Sequence, residues 1–224
     1  MIKAVLFDLD GTLLDRDESV KLVIADQYSR HHHVLSHIPK DTYTTRFIEL
    51  DAHGYVWKDK VYQQLVQEFQ IEKMTWEGFL EDYLTHFKHS CVPFPNLIQM
   101  LKTLKSESLQ LGMITNGKGQ FQMDNIVALG IKDYFDTILI SEWEGIKKPD
   151  AKIFRRALEQ LEVSPEESVF VGDHPENDVN AAKRAGMQCI WKKDSSWSGA
   201  NADAVIEDLI ELPLLVKAAE GGKR

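Results

Sequence analysis

Six short apolar runs constrain this 224-residue chain more than any other feature. They are Ala4-Val5-Leu6-Phe7, Leu109 to Thr115, Thr137 to Ser141, Ser168 to Val171, Gln188 to Trp191, and Ala204-Val205-Ile206. Each is too short for a buried helix and rich in β-branched residues, the pattern of strands buried on both faces. Segments of helical period lie between them, at 96–106, 120–129, 150–161 and 176–185, with a last one at 208–218. Alternation of this kind predicts an α/β fold, a doubly wound parallel sheet with right-handed crossovers. A hydrophobic fraction of 43% supplies a large core and excludes a mostly disordered chain.

One stretch breaks the alternation. From Arg16 to Ser90 there is no strand pattern, only amphipathic helical patterns near 18–33, 40–53, 57–70 and 75–89. Pro93-Phe94-Pro95 closes the region, because proline disfavours helix continuation. The expected organisation is an α/β core of 1–15 and 91–224, with an all-helical cap, 16–90, inserted after the first strand. An insertion there lies beside the carboxyl end of that strand, where such sheets bind ligands, and would act as a lid. The insert holds seven of the eight histidines and 11 of the 21 aromatic residues. Tyr43, Phe47, Tyr55 and Trp57 can be read as pocket lining or as the core of a small helical domain. His31-His32-His33 reads as a solvated helix end, since consecutive helical residues point in different directions.

Charge and cysteine content narrow the function classes. With 26 Lys+Arg against 35 Asp+Glu the net charge is −9, which argues against nucleic acid or an anionic membrane as the main partner. Cys91 and Cys189 are too few for a disulfide framework and lack metal-ligand spacing. No run approaches the ~20 apolar residues needed to span a bilayer. The N-terminus meets Asp8 too soon for a signal peptide. A cytoplasmic setting is expected.

The chemistry-bearing residues gather where strands end. Asp8-Leu9-Asp10-Gly11-Thr12 follows the first strand. Carboxylates at i and i+2 leave a strand end pointing the same way, and they repel each other unless a cation or shared proton intervenes. That need suggests Mg²⁺, a hard ion that prefers oxygen ligands. Thr115-Asn116-Gly117 ends the second strand and can donate hydrogen bonds to an oxyanion. Lys147-Lys148-Pro149-Asp150 precedes a helix, and a lysine there can sit over bound phosphate as a point charge. Gly172-Asp173-His174-Pro175-Glu176-Asn177-Asp178 follows the fourth strand, so Asp173 and Asp178 could complete a cation site. Each segment alone has an ordinary reading as a capping Asp, an Asn-Gly turn or a solubilising lysine. Their order and common placement carry the weight.

In that order the sequence resembles the haloacid dehalogenase-like hydrolase superfamily, over Ile2 to about Ile206. All four of that family's motifs are present: Asp-x-Asp-Gly-Thr, a Thr, a Lys, and Gly-Asp followed by a second Asp. The segments from Ile140 to Pro149 and from Val171 to Val179 resemble the branch that includes pyrimidine nucleotidase and N-acylneuraminate-9-phosphatase. The resemblance implies Asp8 as nucleophile, forming an aspartyl-phosphate, and Asp10 as general acid and then base. It implies Mg²⁺ held by the Asp8 carboxylate, the Asp10 carbonyl and Asp173. Thr115 and the Asn116 backbone NH would bind phosphate oxygens, and Lys148 would neutralise phosphate and orient Asp8. Asp178 would partner Lys148 or metal-bound water.

The expected activity is therefore Mg²⁺-dependent hydrolysis of a small phosphorylated metabolite. A phosphomutase of the same family, passing the phosphoryl group to a sugar, is the alternative within the class. A non-catalytic binding module on the same fold is the alternative outside it, since fold does not fix function. Dehalogenating relatives lack the second Asp of the first motif, and Asp10 is present here.

Overall fold

The computed structural model describes residues 1–221, and the chain divides into two compact units. One comprises Met1–Asp15 together with the chain from Pro93 onward; the other is Arg16–Val92. The first is built on six strands: β1 (Ala4–Phe7), β2 (Gln110–Thr115), β3 (Thr137–Ile140), β4 (Ser168–Gly172), β5 (Gln188–Lys192) and β6 (Ala204–Ile206). All neighbours pair in parallel, in the order β3-β2-β1-β4-β5-β6. The chain moves outward from β1 through β2 to β3, then returns to β4 and moves the other way. The reversal between β1 and β4 leaves a crevice at the carboxyl ends of those two strands.

Helices α1 (Arg16–Arg30), α2 (His32–Leu35), α3 (Lys40–Asp51), α4 (Lys58–Glu68) and α5 (Trp76–His86) belong to the second unit. The first unit contains α6 (Leu97–Ser106), α7 (Gly119–Ala128), α8 (Ser141–Glu144), α9 (Ala151–Leu161), α10 (Ala181–Arg184) and α11 (Leu212–Gly221). Strand alternation explains its core. Ala4 and Leu6 of β1 join Ile114, Leu139 and Phe170 against Phe154, Ala157 and Leu158 of α9 and Ala181 and Ala182 of α10. Val5 and Phe7 point to the opposite face and are equally buried. Helix α6 buries Leu97, Met100, Leu101 and Leu104 and packs against α11.

The helical unit has its own aromatic core. Tyr43, Phe47, Tyr62 and Phe79 are fully buried, with Tyr62 and Phe79 stacked at 5.8 Å. Two tyrosine hydroxyls inside this core need partners, and Gln27 supplies them. Its Oε1 accepts from Tyr62 at 2.9 Å and from Tyr43 at 3.3 Å, while Nε2 donates to the Phe79 carbonyl and to Asp82. A buried polar group so completely bonded costs little and fixes the packing around it. Tyr43 and Phe47 are thus core residues, whereas Tyr55 and Trp57 are 59% and 66% exposed. His32 and His33 are exposed, and His31 lies half-buried with Nε2 3.0 Å from Asp82. No helix among the described residues is long and apolar enough to cross a membrane.

Candidate active site

Asp8 continues the line of β1, its NH donating to the Val171 carbonyl of β4 at 2.9 Å. The chain then turns tightly: the amides of Leu13 and Leu14 return to the Leu9 carbonyl, and Gly11 donates to Leu14. Gly11 has φ +80°, and a Cβ there would lie 2.7 Å from the Asp173 carboxylate, so only glycine fits between the two loops. Asp173 follows β4 directly and reaches back across the crevice, with the Thr12 hydroxyl 3.4 Å from its Oδ1.

Lys148 anchors the opposite side. It is 3% exposed, whereas the neighbouring Lys147 is exposed. Its Nζ donates to Asp8 Oδ1 at 2.6 Å and to Asp178 Oδ1 at 2.7 Å, and sits 5.6 Å from the Phe170 ring centroid. Asp178 spends its other oxygen on the His174 amide at 3.0 Å. That bond closes a π-helical turn over Pro175–Asn180, which replaces the start of the regular helix predicted at 176–185. His174 caps the same turn, Nδ1 accepting from the amides of Glu176 and Asn177, with its ring 4.6 Å from Trp197.

Carboxylate oxygens of Asp8, Asp173 and Asp178 lie within 4.8 Å of one another, and the Lys148 ammonium bonds two of the three, Asp8 and Asp178. Burial, with Asp178 and Asp10, outweighs the pull of Lys148 and raises the Asp8 carboxyl to about 7. Burial, then Asp178 and Asp8, hold Asp173 well above the usual carboxylate range. Burial alone would lower Lys148, but Asp178 and Asp8 outweigh it and keep the ammonium charged. Three crowded carboxylates with a single buried cation fit a divalent ion, and a donor set of oxygen alone fits Mg²⁺.

The remaining residues singled out from sequence adjoin this cluster. Thr115 ends β2 fully buried. The Asn116 side chain clasps the backbone of Lys148, Nδ2 donating to its carbonyl at 3.0 Å and Oδ1 accepting its amide at 2.9 Å. Asp10 is partly buried, and its Oδ2 accepts from Gln122 Nε2 at 2.6 Å. The same Nε2 lies 2.7 Å from Thr115 Oγ1, so Gln122 bridges the first and second motifs. Gln122 was not singled out from sequence. The available signal was its place four residues before Ile126, on the buried stripe of α7.

A glyceraldehyde 3-phosphate phosphatase of Methanopyrus kandleri is 41% identical over 211 residues, covering 85% of this chain and 83% of the relative. The pyrimidine 5'-nucleotidase YjjG of Escherichia coli is 34% identical over 113 residues, half of this chain and 49% of that protein. Among solved structures, a HAD phosphatase from Thermococcus onnurineus superposes with a TM-score of 0.68 at 30% identity, covering 96% of this chain and 98% of that one. Residues 5–192 match the profile of the haloacid dehalogenase-like hydrolases. That span takes in Asp8, Lys148, Asp173 and Asp178, and the chain belongs to the haloacid dehalogenase-like hydrolase family.

Proposed function

We propose that this chain is a Mg²⁺-dependent phosphatase that hydrolyses a small phosphorylated metabolite through an aspartyl-phosphate on Asp8. The observation that carries the reading is the Asp8 carboxylate at the end of β1, held by Lys148 and crowded by Asp173 and Asp178. Lys148 orients one Asp8 oxygen and leaves the other for attack on phosphorus. As that bond forms, the ester P–O bond breaks, and Asp10 gives its proton to the departing oxygen. Water then attacks the phosphoryl group, Asp10 takes a proton from it, and phosphate leaves with Asp8 regenerated. Thr115 and the Asn116 amide receive the phosphoryl oxygens, and Lys148 offsets their charge. Asp8, the Asp10 carbonyl and Asp173 would hold Mg²⁺, which would supply the positive charge that lets two anions approach.

The helical unit takes the part of the cap in this reading, and its role would be to select the leaving group. Its balance of 9 Lys+Arg against 12 Asp+Glu between Arg16 and Ser90 offers no broad basic surface for a polyanion. Relatives named for glyceraldehyde 3-phosphate and for pyrimidine nucleotides set the range to be searched. The test is a screen of phosphorylated metabolites, triose phosphates and nucleoside 5'-monophosphates included, scored by inorganic phosphate release. Hydrolysis is expected with Mg²⁺, its loss with EDTA, and recovery on adding Mg²⁺ back. Undiminished hydrolysis in metal-free buffer would sink the mechanism. Interconversion of sugar-phosphate isomers without phosphate release would replace hydrolysis by phosphoryl transfer.

A further inference from the structure

The amide of Gln122 occupies a central position that none of the four motifs explains. Its Nε2 faces Asp10 Oδ2 at 2.6 Å, Thr115 Oγ1 at 2.7 Å and the Asn116 carbonyl at 3.2 Å. Two hydrogens serve three acceptors, and the short contacts go to Asp10 and Thr115. The orientation of the amide is forced. A carboxylate and a carbonyl only accept, so the NH₂ must face them, and Asn125 Nδ2 donates to Oε1 from the other side at 3.2 Å. The side chain is 2% exposed, and the backbone makes room for it. Gly117 has φ +151°, and a Cβ there would lie 2.8 Å from Gln122 Cγ.

We propose that Gln122 is a positioning residue that selects which oxygen of Asp10 carries the transferred proton. With Oδ2 committed to the amide, proton transfer to the leaving oxygen and from water runs through Oδ1. The bond to Thr115 pins the amide, so the carboxylate cannot rotate to exchange its oxygens. The inference rests on the phosphatase reading and adds to it a residue outside the motifs. Small misplacements of a reacting group are costly, up to about 100-fold for an ångström.

The test exploits the leaving group. Para-nitrophenolate departs without a proton, whereas an alkoxide needs one, so kcat/KM for an alkyl phosphate reports on Asp10 and that for para-nitrophenyl phosphate reports on it weakly. Gln122→Met keeps length and removes the donor; Gln122→Leu removes it with an apolar side chain of similar volume. In both, kcat/KM for the best alkyl phosphate of the screen is expected to fall about 100-fold, within the range of lost general acid catalysis, and that for para-nitrophenyl phosphate less than about fivefold. Equal falls on the two substrates, or none, would overturn the proposal while leaving the phosphatase reading intact. Wild-type inactivity on every phosphomonoester would remove both. If one variant fails to fold the other decides, and failure of both would assign Gln122 a purely structural role and overturn the proposal.

Discussion

Asp82 and Asp8 are both largely enclosed carboxylates, and their surroundings move them in opposite directions. Asp82, on α5 of the helical unit, takes Arg30 Nη2 at 2.7 Å, Arg30 Nε at 3.1 Å and Gln27 at 2.9 Å. Burial pushes its carboxyl up, but the bonds from Arg30 and Gln27, with His31 beside them, win and hold it at about 2. Asp51 of the same unit, 2% exposed, has both Arg16 and Lys58. In the α/β unit Asp8 and Asp178 share Lys148, Asp173 crowds them without bonding it, and Asp8 rises to about 7. The helical unit has balanced its buried acids within itself. The α/β unit leaves its clustered acids short of positive charge, which a divalent cation could supply.

The comparison breaks most sharply on paired amide substitutions. Asp8→Asn should lower kcat with Mg²⁺ by at least about 1,000-fold, since a lost nucleophile removes the covalent route. Asp82→Asn should leave kcat within about threefold and cost roughly 1–3 kcal/mol of stability, the usual cost of weakening a charged hydrogen-bond set. Steady-state kinetics and urea unfolding read the two quantities. A large loss of kcat in Asp82→Asn would show that the helical unit's acids are not merely structural.

Titration gives the next effect, and the signs differ. Metal-free Asp8 sits near 7 folded against 3.8 as its ordinary value, so the folded state holds more protons between those values. The groups facing it are Lys148, Asp178, Asp10 and Asp173. Its contribution to stability is therefore full below about pH 4 and is lost as pH rises through 7. Asp82, near 2 against 3.8, contributes above about pH 4 and loses that contribution as pH falls toward 2. In EDTA, the melting temperature of wild type minus that of Asp8→Asn should drop by a few degrees from pH 4 to pH 8. The same difference for Asp82→Asn should close from pH 4 to pH 2. Saturating Mg²⁺ should abolish the first trend, because a ligand at 100 times its Kd adds about 2.7 kcal/mol. A trend that Mg²⁺ leaves untouched would detach Asp8 from the cation site.

What the sequence made legible follows the same division. The strand run Ala4–Phe7 emerged with the bounds expected, because a strand buried on both faces writes itself as an uninterrupted apolar stretch, and Ala204–Ile206 also kept its bounds although it is the edge strand and Val205 is exposed. Asp8, Thr115 and Asp173 were legible because each lies at a strand end, where the chain must turn anyway; Lys148 lies past β3 and α8, in the loop that leads into α9. The choice of Lys148 over Lys147 came from resemblance, since neither spacing nor composition separates adjacent lysines. Three features were hidden for one physical reason: an amide or ring nitrogen has several partners of equal chemistry, and tertiary packing chooses among them. The Asn116 side chain took the Lys148 backbone, Gln122 took Asp10 and Thr115, and His174 took the amides that open a π-helical turn. A helix predicted unbroken over 18–33 ends at Arg30, and a separate four-residue turn, α2, follows His31.

The smallest effect concerns the aromatic residues that the sequence could not sort. Phe47 is wholly enclosed between Tyr62 and Tyr83, at ring distances of 5.3 and 6.0 Å, so its role is to hold the helical unit together. Trp57 is 66% exposed immediately before α4, and its side chain makes no cap to that helix. Trp57→Ala should change the unfolding free energy by less than about 0.5 kcal/mol. If the helical unit selects the leaving group, the same variant should change kcat/KM for the best metabolite several-fold, as loss of a few methylenes' worth of contact does, while para-nitrophenyl phosphate turnover stays nearly constant. A destabilisation of about 3 kcal/mol, the cost of emptying a core aromatic site, would instead place Trp57 with Phe47 in the structural set. Unchanged stability with an unchanged ranking of substrates would leave the helical unit without this contact to substrate, and the search for the selecting residue would move to the other exposed aromatic of the same turn, Tyr55.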